Sequence, residues 1–343
     1  VVSIFAHEKW TYWHPKNITF KHDYNICWGP TKITFNNIGS RSTKDVQIKK
    51  TKPRIGLLGD SMIELIQVND GNDITSLLQK KLPDYEIINF SSRATGLYDH
   101  LDMYKNLIKK YDVDYIFYFP TENDMQNNFI KTNEPKAVFN QPLFYFDEQS
   151  NKVIKLDRNK EWMDKYFSNY NNLKRSKLVL YLKDYSYSFK IYYHIKTLIR
   201  NNKITKVPWD KERYEYAKNE LLPLQEKVYK HIMSEFVSEI ENNNVNLITI
   251  LNLRSYLFTN EDLSYDQKIR FEKFKIIKKA WQKYNNASFD LDEAKEFINL
   301  NSDKIVKPYS FLGHVCDDHY SKFGSEFMSN IIVKNLKKYI ANN

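Results

Sequence analysis

The hydrophobic positions in the first third of the chain change period from one segment to the next. Short apolar runs at Ile55–Leu58, Glu86–Phe90 and Tyr115–Phe119 are typical of buried strands. Between these runs, apolar residues recur at helical spacing over 73–82 and 97–111. Strands that alternate with helices of this length predict parallel βαβ units and therefore an α/β fold with a mostly parallel sheet.

This rhythm stops between about 130 and 210, where a polar and aromatic stretch is interrupted by prolines. We interpret 130–210 as an insertion or cap region, with a helix over 176–200. Residues 1–50 mix aromatic residues with turn signals, and we expect an irregular N-terminal extension that packs on the core. The main domain is then expected to span 51–343.

The regular pattern returns after the insertion. Apolar residues share one face of a long helix over 212–242, and Val245–Leu251 predicts a fourth strand. Residues 255–300 are charged and helical in pattern. A last helix is predicted over 321–341, and Ser321 is a plausible N-cap for it.

The charge of the chain narrows the classes of partner. Its 343 residues include 52 Lys and Arg against 42 Asp and Glu, which gives a net charge of +10. The basic residues are spread along the chain without a cluster or a nucleic-acid-binding motif, so we do not expect nucleic acid as a partner. Two interpretations stay open, a solvated lysine-rich surface and attraction to an anionic partner such as an acidic glycan or a membrane surface.

The sequence contains no clear signal for a metal site or a membrane-spanning helix, and it leaves the state of the two cysteines open. Cys27 and Cys316 do not have metal-ligand spacing, and they are expected either to form one long-range disulfide or to be two buried thiols. His7, His14 and His22 also fit no metal site well. No run of 18 apolar residues is present, so no membrane-spanning helix is predicted.

Polar residues with chemical potential follow each predicted strand of the first third. Gly59-Asp60-Ser61 follows the first strand, Asn89–Gly96 overlaps the end of the second, and Thr121–Asp124 follows the third. The carboxyl ends of parallel strands open on one edge of a sheet, where α/β folds place their active sites. A fourth polar segment, Cys316–Ser321, precedes the last helix and contains a histidine, the residue type that most often activates a serine nucleophile.

These four segments resemble the blocks of the SGNH hydrolase superfamily, also called the GDSL family. The resemblance is carried by Gly59-Asp60-Ser61, by Asn123-Asp124 and by an Asp-Asp-His-Tyr-Ser-x-x-Gly run that ends at Gly324. It covers about 54–124 and 310–341, and the last run is similar to that of the glycan-modifying members. The resemblance implies a three-layer α/β/α sandwich, flavodoxin-like in organisation, with an inserted cap region.

The resemblance also implies a catalytic set. Ser61 is expected to be the nucleophile and His319 the base that takes its proton. The family's acid usually lies three residues before the histidine, where this chain has Cys316. Asp317 is therefore expected to orient the imidazole, with Asp318 as the competing acid. The remaining alternative is a Ser–His dyad oriented by another group.

The developing oxyanion is expected to be met by three donors. These are the backbone N–H of Ser61, a backbone N–H from the second segment and the side-chain amide of Asn123. The family's second block usually has a glycine five residues after its asparagine. Counting from Asn89 reaches Ala94, while the nearest glycine is Gly96, so either residue could supply the second donor.

We expect a serine-dependent esterase that removes a small acyl group, in particular acetyl, from a carbohydrate through an acyl-enzyme on Ser61. One alternative is an O-acyltransferase that acts on an exported or surface polysaccharide and receives acyl groups from a membrane-bound donor partner. Another is a non-catalytic glycan-binding module with a decayed site. None of these functions requires a metal or an organic cofactor. The expected substrate and the chain's start without methionine favour an extracytoplasmic location, and the oligomeric state stays open.

Overall fold

A computed structural model of the protein describes a large part of the chain. The described residues are 13–22, 30–131, 143–156, 209–252, 254, 263–282, 284, 313–314 and 317–342. The predicted helix over 176–200, both cysteines and His7 lie outside them. Within the described ranges, no helix is both long enough and apolar enough to cross a membrane.

The elements of the described ranges are numbered here in chain order. The strands are β1 Ile18–His22, β2 Thr31–Phe35, β3 Arg54–Gly59, β4 Glu86–Asn89, β5 Tyr115–Phe119, β6 Leu143–Asp147, β7 Lys152–Leu156, β8 Asn246–Thr249, β9 Gly313–His314 and β10 Asp317–Tyr320. The α-helices are α1 Ser61–Glu64, α2 Ile74–Lys81, α3 Leu97–Asn106, α4 Asp124–Asn127, α5 Lys211–Tyr216, α6 Leu222–Glu241, α7 Tyr265–Trp281 and α8 Lys322–Asn342.

The central sheet has four parallel strands in the order β4-β3-β5-β8. The chain moves outward from β3 to β4, then crosses back over β3 to β5 and continues to β8. Right-handed crossovers therefore put α2 on one face of the sheet, and α3 and α6 on the other. The helix contacts agree, because α2 packs on α8 and α3 packs on α6. The predicted three-layer α/β/α arrangement is confirmed.

The core lies between these layers. Every residue of β3 is buried, as expected for a parallel strand covered on both faces. The predicted apolar stripe of α6 is buried too, with Val228, Ile232, Phe236 and Ile240 each at most 2% exposed. Hydrophobic burial of this kind is the main force that holds helices on a sheet.

Several element boundaries differ from the sequence-based expectation. The helix expected over 97–111 ends at Asn106, and Ile108–Tyr111 continues as a tighter 3₁₀ helix that stops at a left-handed Asp112. The helix expected over 212–242 contains a π-helical turn at Ala217–Leu221 between α5 and α6. Ser321 caps α8 as predicted, because its Oγ accepts the Gly324 N–H at 3.2 Å.

The N-terminal region is more regular than expected. β1 and β2 form an antiparallel pair in which Ile18 faces Phe35 and His22 faces Thr31. Trp13 belongs to the same hydrophobic cluster as the central sheet, and its indole N–H donates to the Ile38 carbonyl at 2.6 Å. In the predicted insertion, the described part includes the antiparallel hairpin β6–β7.

Candidate active site

Ser61 is the first residue of α1, directly after the carboxyl end of β3. Asp60 caps this helix by accepting the Met62 N–H at 2.9 Å, and α1 ends after one turn at the left-handed Leu65. A side chain at Gly59 would lie 3.1 Å from Ile63 and 3.2 Å from Phe119 Cβ. Glycine therefore lets the strand turn into the helix without displacing these two side chains.

His319 lies on β10 and reaches the serine. Its Nε2 is 2.8 Å from Ser61 Oγ, a hydrogen-bond distance that links two residues 258 positions apart. The next residue, Tyr320, is fully buried, and its hydroxyl donates to Asn252 Oδ1 at 3.1 Å. Asn252 Nδ2 in turn donates to the Phe119 carbonyl at the end of β5, also at 3.1 Å. This bridge ties the histidine strand to the central sheet.

The third segment is held by the Asp60 carboxylate. Asp60 Oδ2 accepts the Asn123 side-chain N–H at 3.0 Å and the Thr121 hydroxyl at 3.2 Å. A carboxylate oxygen can only accept a hydrogen bond, so the group that faces it must be the Asn123 amide nitrogen. Nδ2 of Asn123 therefore points toward Asp60, the residue that caps the helix of Ser61. One Asn123 N–H bond is used by Asp60, and the second is left to donate elsewhere.

A second buried carboxyl lies behind this contact. Asp124 Oδ2 accepts the Tyr118 hydroxyl at 2.8 Å, and Oδ1 lies 3.2 Å from Thr121 Oγ1. Burial and the neighbouring Asp60 charge raise the pKa of Asp124 well above its usual range. The two carboxyls thus share one hydroxyl, and the raised pKa favours the neutral form of Asp124.

The second segment distinguishes the two candidate oxyanion donors. The Gly96 N–H donates to Asp99 Oδ2 at 2.8 Å as part of the N-terminal cap of α3, so it is already occupied. Ala94 is exposed and has a φ of +59°, a left-handed conformation that normally favours glycine. Its N–H has no acceptor in the described ranges. Of the two, Ala94 is the candidate donor.

Glu64 fixes this segment from the helix that carries the serine. Its Oε2 accepts the Arg93 backbone N–H at 2.7 Å, and its Oε1 accepts the Arg93 guanidinium at 2.8 Å. Burial alone would raise the pKa of Glu64, but the Arg93 charge and these hydrogen bonds lower it to about 2. An ionised Glu64 therefore holds the residue next to Ala94.

Asp317 lies in β10, two residues before His319, and its backbone pairs with His314 of β9. The side chains of Asp317 and Asp318 lie outside the described part of the structure, as does Cys316. The expectation that Asp317 orients the imidazole therefore stays a prediction.

Ser61 and His319 open into a cavity of about 420 Å³ at the carboxyl end of the sheet. Its lining includes both catalytic candidates and Asn123, and it also contains charged residues that the sequence patterns did not single out. The described lining residues are Asp60, Ser61, Glu122, Asn123, Gln126, Trp209, Arg254, Asp266, Ile269, Arg270, Lys273 and His319.

Comparisons with known proteins give matches only at the level of structure. No protein-family model and no curated sequence matches the chain. A lipase/acylhydrolase from Enterococcus faecalis is similar over 84% of this chain and 96% of its own, with 12% identity and a TM-score of 0.43. A catalytic mutant of an acetylxylan esterase from Geobacillus stearothermophilus is similar over 84% and 96%, with 10% identity and a TM-score of 0.42. A psychrotrophic esterase from Pseudoalteromonas is similar over 85% and 100%, with 12% identity and a TM-score of 0.40.

The blocks are arranged as the SGNH resemblance implies. Ser61 follows β3, Ala94 follows β4, Asn123 follows β5, and His319 reaches the serine from outside the parallel sheet. Among the described residues, no group of three or more His, Cys, Asp or Glu side chains is placed to hold a metal ion.

Asn252 and Lys273 are two of the site residues that sequence reasoning missed. Asn252 has a recognisable signal, because it lies just after β8, at the same sheet edge as the other blocks. Lys273 has no such signal in the sequence. It is one of several lysines on a charged helix, and its burial is seen only in the folded structure.

Proposed function

We propose that this chain is a serine-dependent esterase of the SGNH type that releases a small acyl group, in particular acetyl, from a carbohydrate. The observation that carries the proposal is the 2.8 Å contact between Ser61 Oγ and His319 Nε2, at the mouth of a cavity on the sheet's carboxyl edge. A serine hydroxyl becomes a useful nucleophile only when a base within hydrogen-bond reach takes its proton.

The reaction then proceeds in two halves. Ser61 Oγ attacks the ester carbonyl carbon while its proton moves to His319 Nε2, and the carbonyl oxygen becomes an oxyanion. The tetrahedral intermediate collapses, the C–O bond to the sugar breaks, and His319 returns the proton to the departing alkoxide. Water then attacks the acyl-enzyme by the same route and regenerates Ser61.

We expect three donors to stabilise the oxyanion. The Ser61 N–H points out of the first turn of α1, which leaves it without a helical acceptor. The Ala94 N–H and the remaining N–H of Asn123 complete the set. Each such donor is worth about 3–4 kcal/mol in the transition state.

The cavity lining favours a small acyl group on a polar alcohol. Among its described residues only Trp209 and Ile269 are apolar, so a long acyl chain would gain little burial there. The remaining lining is hydrogen-bonding or charged, which suits the hydroxyls of a sugar. The Trp209 indole also has the Arg213 guanidinium 4.6 Å from its ring centroid.

Hydrolysis of p-nitrophenyl acetate tests the proposal. The wild-type protein should release p-nitrophenol with saturation kinetics, and Ser61→Ala should reduce this release to the background rate. Ser150→Ala is a matched control, because Ser150 lies in the β6–β7 turn and its hydroxyl binds only Asp147 in the described ranges. Equal rates for the Ser61→Ala variant and the wild type would reject the esterase.

The same Ser–His pair also serves acyl transfer, so the acceptor has to be measured. With an acetylated donor and an unacetylated oligosaccharide, mass spectrometry distinguishes released acetate from acetylated oligosaccharide. Acetate as the main product supports hydrolysis, whereas faster formation of the acetylated sugar would replace the esterase with an O-acyltransferase. Binding of glycans without either product would indicate a non-catalytic module.

A further inference from the structure

Lys273 is a buried cation in the wall of the catalytic cavity. It lies on α7 and is only 8% exposed, and its ammonium donates to Gln126 Oε1 at 2.8 Å. In the described ranges no carboxylate oxygen lies within 4.0 Å of its nitrogen. A buried charge without an opposite charge is unfavourable, so an ammonium held by a neutral amide in a ligand cavity is unusual.

The carboxylates that share the cavity are already engaged. Glu122 Oε1 lies 3.0 Å from Arg254 Nε, and Asp266 Oδ2 lies 3.0 Å from Arg270 Nε. The Arg270 guanidinium also approaches Glu122 at 3.7 Å. The third carboxylate, Asp60, accepts from the capped helix and from the Asn123 segment, as described above. Among the described cations of this wall, Lys273 is therefore the one that no described carboxylate contacts.

The charge state of Lys273 follows from this setting. Burial is the largest influence and lowers the pKa of Lys273, Glu122 and Asp266 raise it, the Arg270 charge lowers it, and the net pKa is about 8. The ammonium form is thus still favoured at neutral pH, but a nearby anion would stabilise it further. By linkage, an anionic ligand that binds this form raises the pKa of Lys273.

We propose that Lys273 binds a carboxylate of the substrate, so that the enzyme prefers acylated sugars that carry an acid group, of the uronic acid type. This inference rests on the proposed esterase function and names its substrate class. A carboxylate at the ammonium would supply the missing counter-charge through a charge-assisted hydrogen bond. The net charge of +10 would also attract an acidic glycan from a distance.

Two probes, one with a free carboxylate and one with that carboxylate esterified, test the preference, with released acetate as the readout. They are methyl glucuronoside carrying one O-acetyl group and the 6-methyl ester of the same compound. At pH 7 the wild type should show a kcat/KM about tenfold higher for the free acid, a typical effect of one charge-assisted hydrogen bond. Lys273→Met should reduce this ratio to about one.

A matched control comes from the same helix. Lys275 points to solvent, is paired with Glu272 at 3.0 Å and does not line the cavity, so Lys275→Met should keep the preference for the acid. A second variant, Lys273→Gln, retains polarity and serves if the methionine variant does not fold. It should also lose the preference.

The pH profile provides a second readout. As the pH rises through about 8, Lys273 of the free enzyme loses its proton, so KM for the acid probe should rise. KM for the methyl ester should not follow that change. A merely structural lysine would not separate the two profiles.

Failure of this inference can be distinguished from failure of the esterase proposal. If the wild type hydrolyses both probes with equal kcat/KM, the carboxylate site is rejected and the esterase stands. If neither probe is hydrolysed, calorimetry with unacetylated methyl glucuronoside and its methyl ester still decides. Tighter binding of the acid that depends on Lys273 supports the site, and equal binding overturns it.

Discussion

A cavity lies at each end of the parallel sheet. The two cavities have similar volumes but differ in how their polar residues are paired. The carboxyl-end cavity measures about 420 Å³ and contains Ser61 in contact with His319, with a buried lysine nearby. The amino-end cavity measures about 380 Å³ and is lined by loops around Asp112–Asp114 and Asn243–Asn246. Cavity volume alone therefore does not identify which of the two is the functional site.

Charged residues that line the amino-end cavity are paired with neighbouring residues. Lys50 contacts both Asp112 and Asp114 at 2.9 Å, and Asp114 also accepts the Arg54 backbone N–H at 2.7 Å. Lys109 contacts the Glu239 carboxylate at 2.8 Å. These contacts stabilise the loops that lead into β5 and β8.

The carboxyl-end cavity also contains ion pairs, but three of its contacts join groups that do not neutralise each other. A hydroxyl contacts an imidazole, two carboxyls share one hydroxyl, and among the described residues the Lys273 ammonium contacts an amide oxygen and no carboxylate. Pairing that is left incomplete marks an active site better than the size of its cavity does.

The largest expected effect is loss of the catalytic pair. His319→Ala should lower kcat for an acetyl ester by about 10⁴-fold, and Ser61→Ala should do the same. The double variant should be no worse than either single variant, because the two residues act as one unit. Asn243→Ala at the amino-end cavity should leave kcat unchanged. Steady-state kinetics on the four proteins would contradict the pairing if the two losses multiplied.

The next effect concerns the oxyanion. Asn123→Ala should lower kcat by about 10²–10³-fold, since it removes one donor that acts in the transition state. KM should change little, because the donor is not needed to bind the ground state. A large rise in KM with an unchanged kcat would instead assign Asn123 to substrate binding.

The third effect concerns stability in acid. Burial lowers the pKa of His14 and of His100 from 6.5 to about 4. Below pH 6.5 the unfolded chain binds protons that the folded protein does not, so stability present above pH 6.5 is lost as the pH falls toward 4. Each histidine contributes roughly 3 kcal/mol of this loss. Urea unfolding between pH 7 and 4.5 should show the decline, and His100→Gln should make it less steep.

The stabilisation that Glu64 provides is also lost as the pH falls, but in a lower pH range. Its pKa of about 2 lies below the usual value of 4.5, so the stability it provides is lost as the pH falls from 4.5 through 2. The window between pH 4.5 and 6.5 therefore separates the histidines from Glu64. Asp124 acts in the opposite direction there, because its raised pKa lets the folded protein hold a proton that the unfolded chain releases. The test is therefore the difference between variants, and identical profiles for the wild type and His100→Gln across that window would contradict the burial of a neutral His100.

The smallest expected effect compares two left-handed residues, one at each end of the sheet. Ala94 has a φ of +59° and Asn244 a φ of +56°. Ala94→Gly should raise the free energy of unfolding by up to about 1 kcal/mol, because glycine adopts this conformation without strain. Asn244→Gly should gain less, since asparagine tolerates it. Thermal unfolding of both variants would measure the difference, and equal gains would argue against strain at Ala94.

Sequence patterns predicted the sheet well because its strands are buried on both faces and contain near-continuous apolar runs. β3 and β5 lie where these runs predicted them, and so does the cap of α8 at Ser321. The β1–β2 pair was missed because short mixed strands between turn signals have no clear period.

The site was predictable where its residues follow strands. Ser61 and Asn123 lie within four residues of the ends of β3 and β5, and the polar segment before the last helix drew attention to His319, whose role the SGNH resemblance then implied. The choice between Ala94 and Gly96 needed coordinates, because it depends on which N–H a helix cap occupies. The contact between Lys273 of α7 and Gln126 of α4 depends on tertiary packing, which no local pattern encodes.

The most direct test of the central claim is covalent labelling. A fluorophosphonate reacts with a serine only when a nearby base activates the hydroxyl. After incubation with the intact protein, peptide mass spectrometry should find the phosphonyl group on Ser61, with labelling at least about a hundredfold slower in the His319→Ala variant. Labelling of Ser61 at the same rate in both proteins, or no labelling of Ser61 at all, would contradict the account.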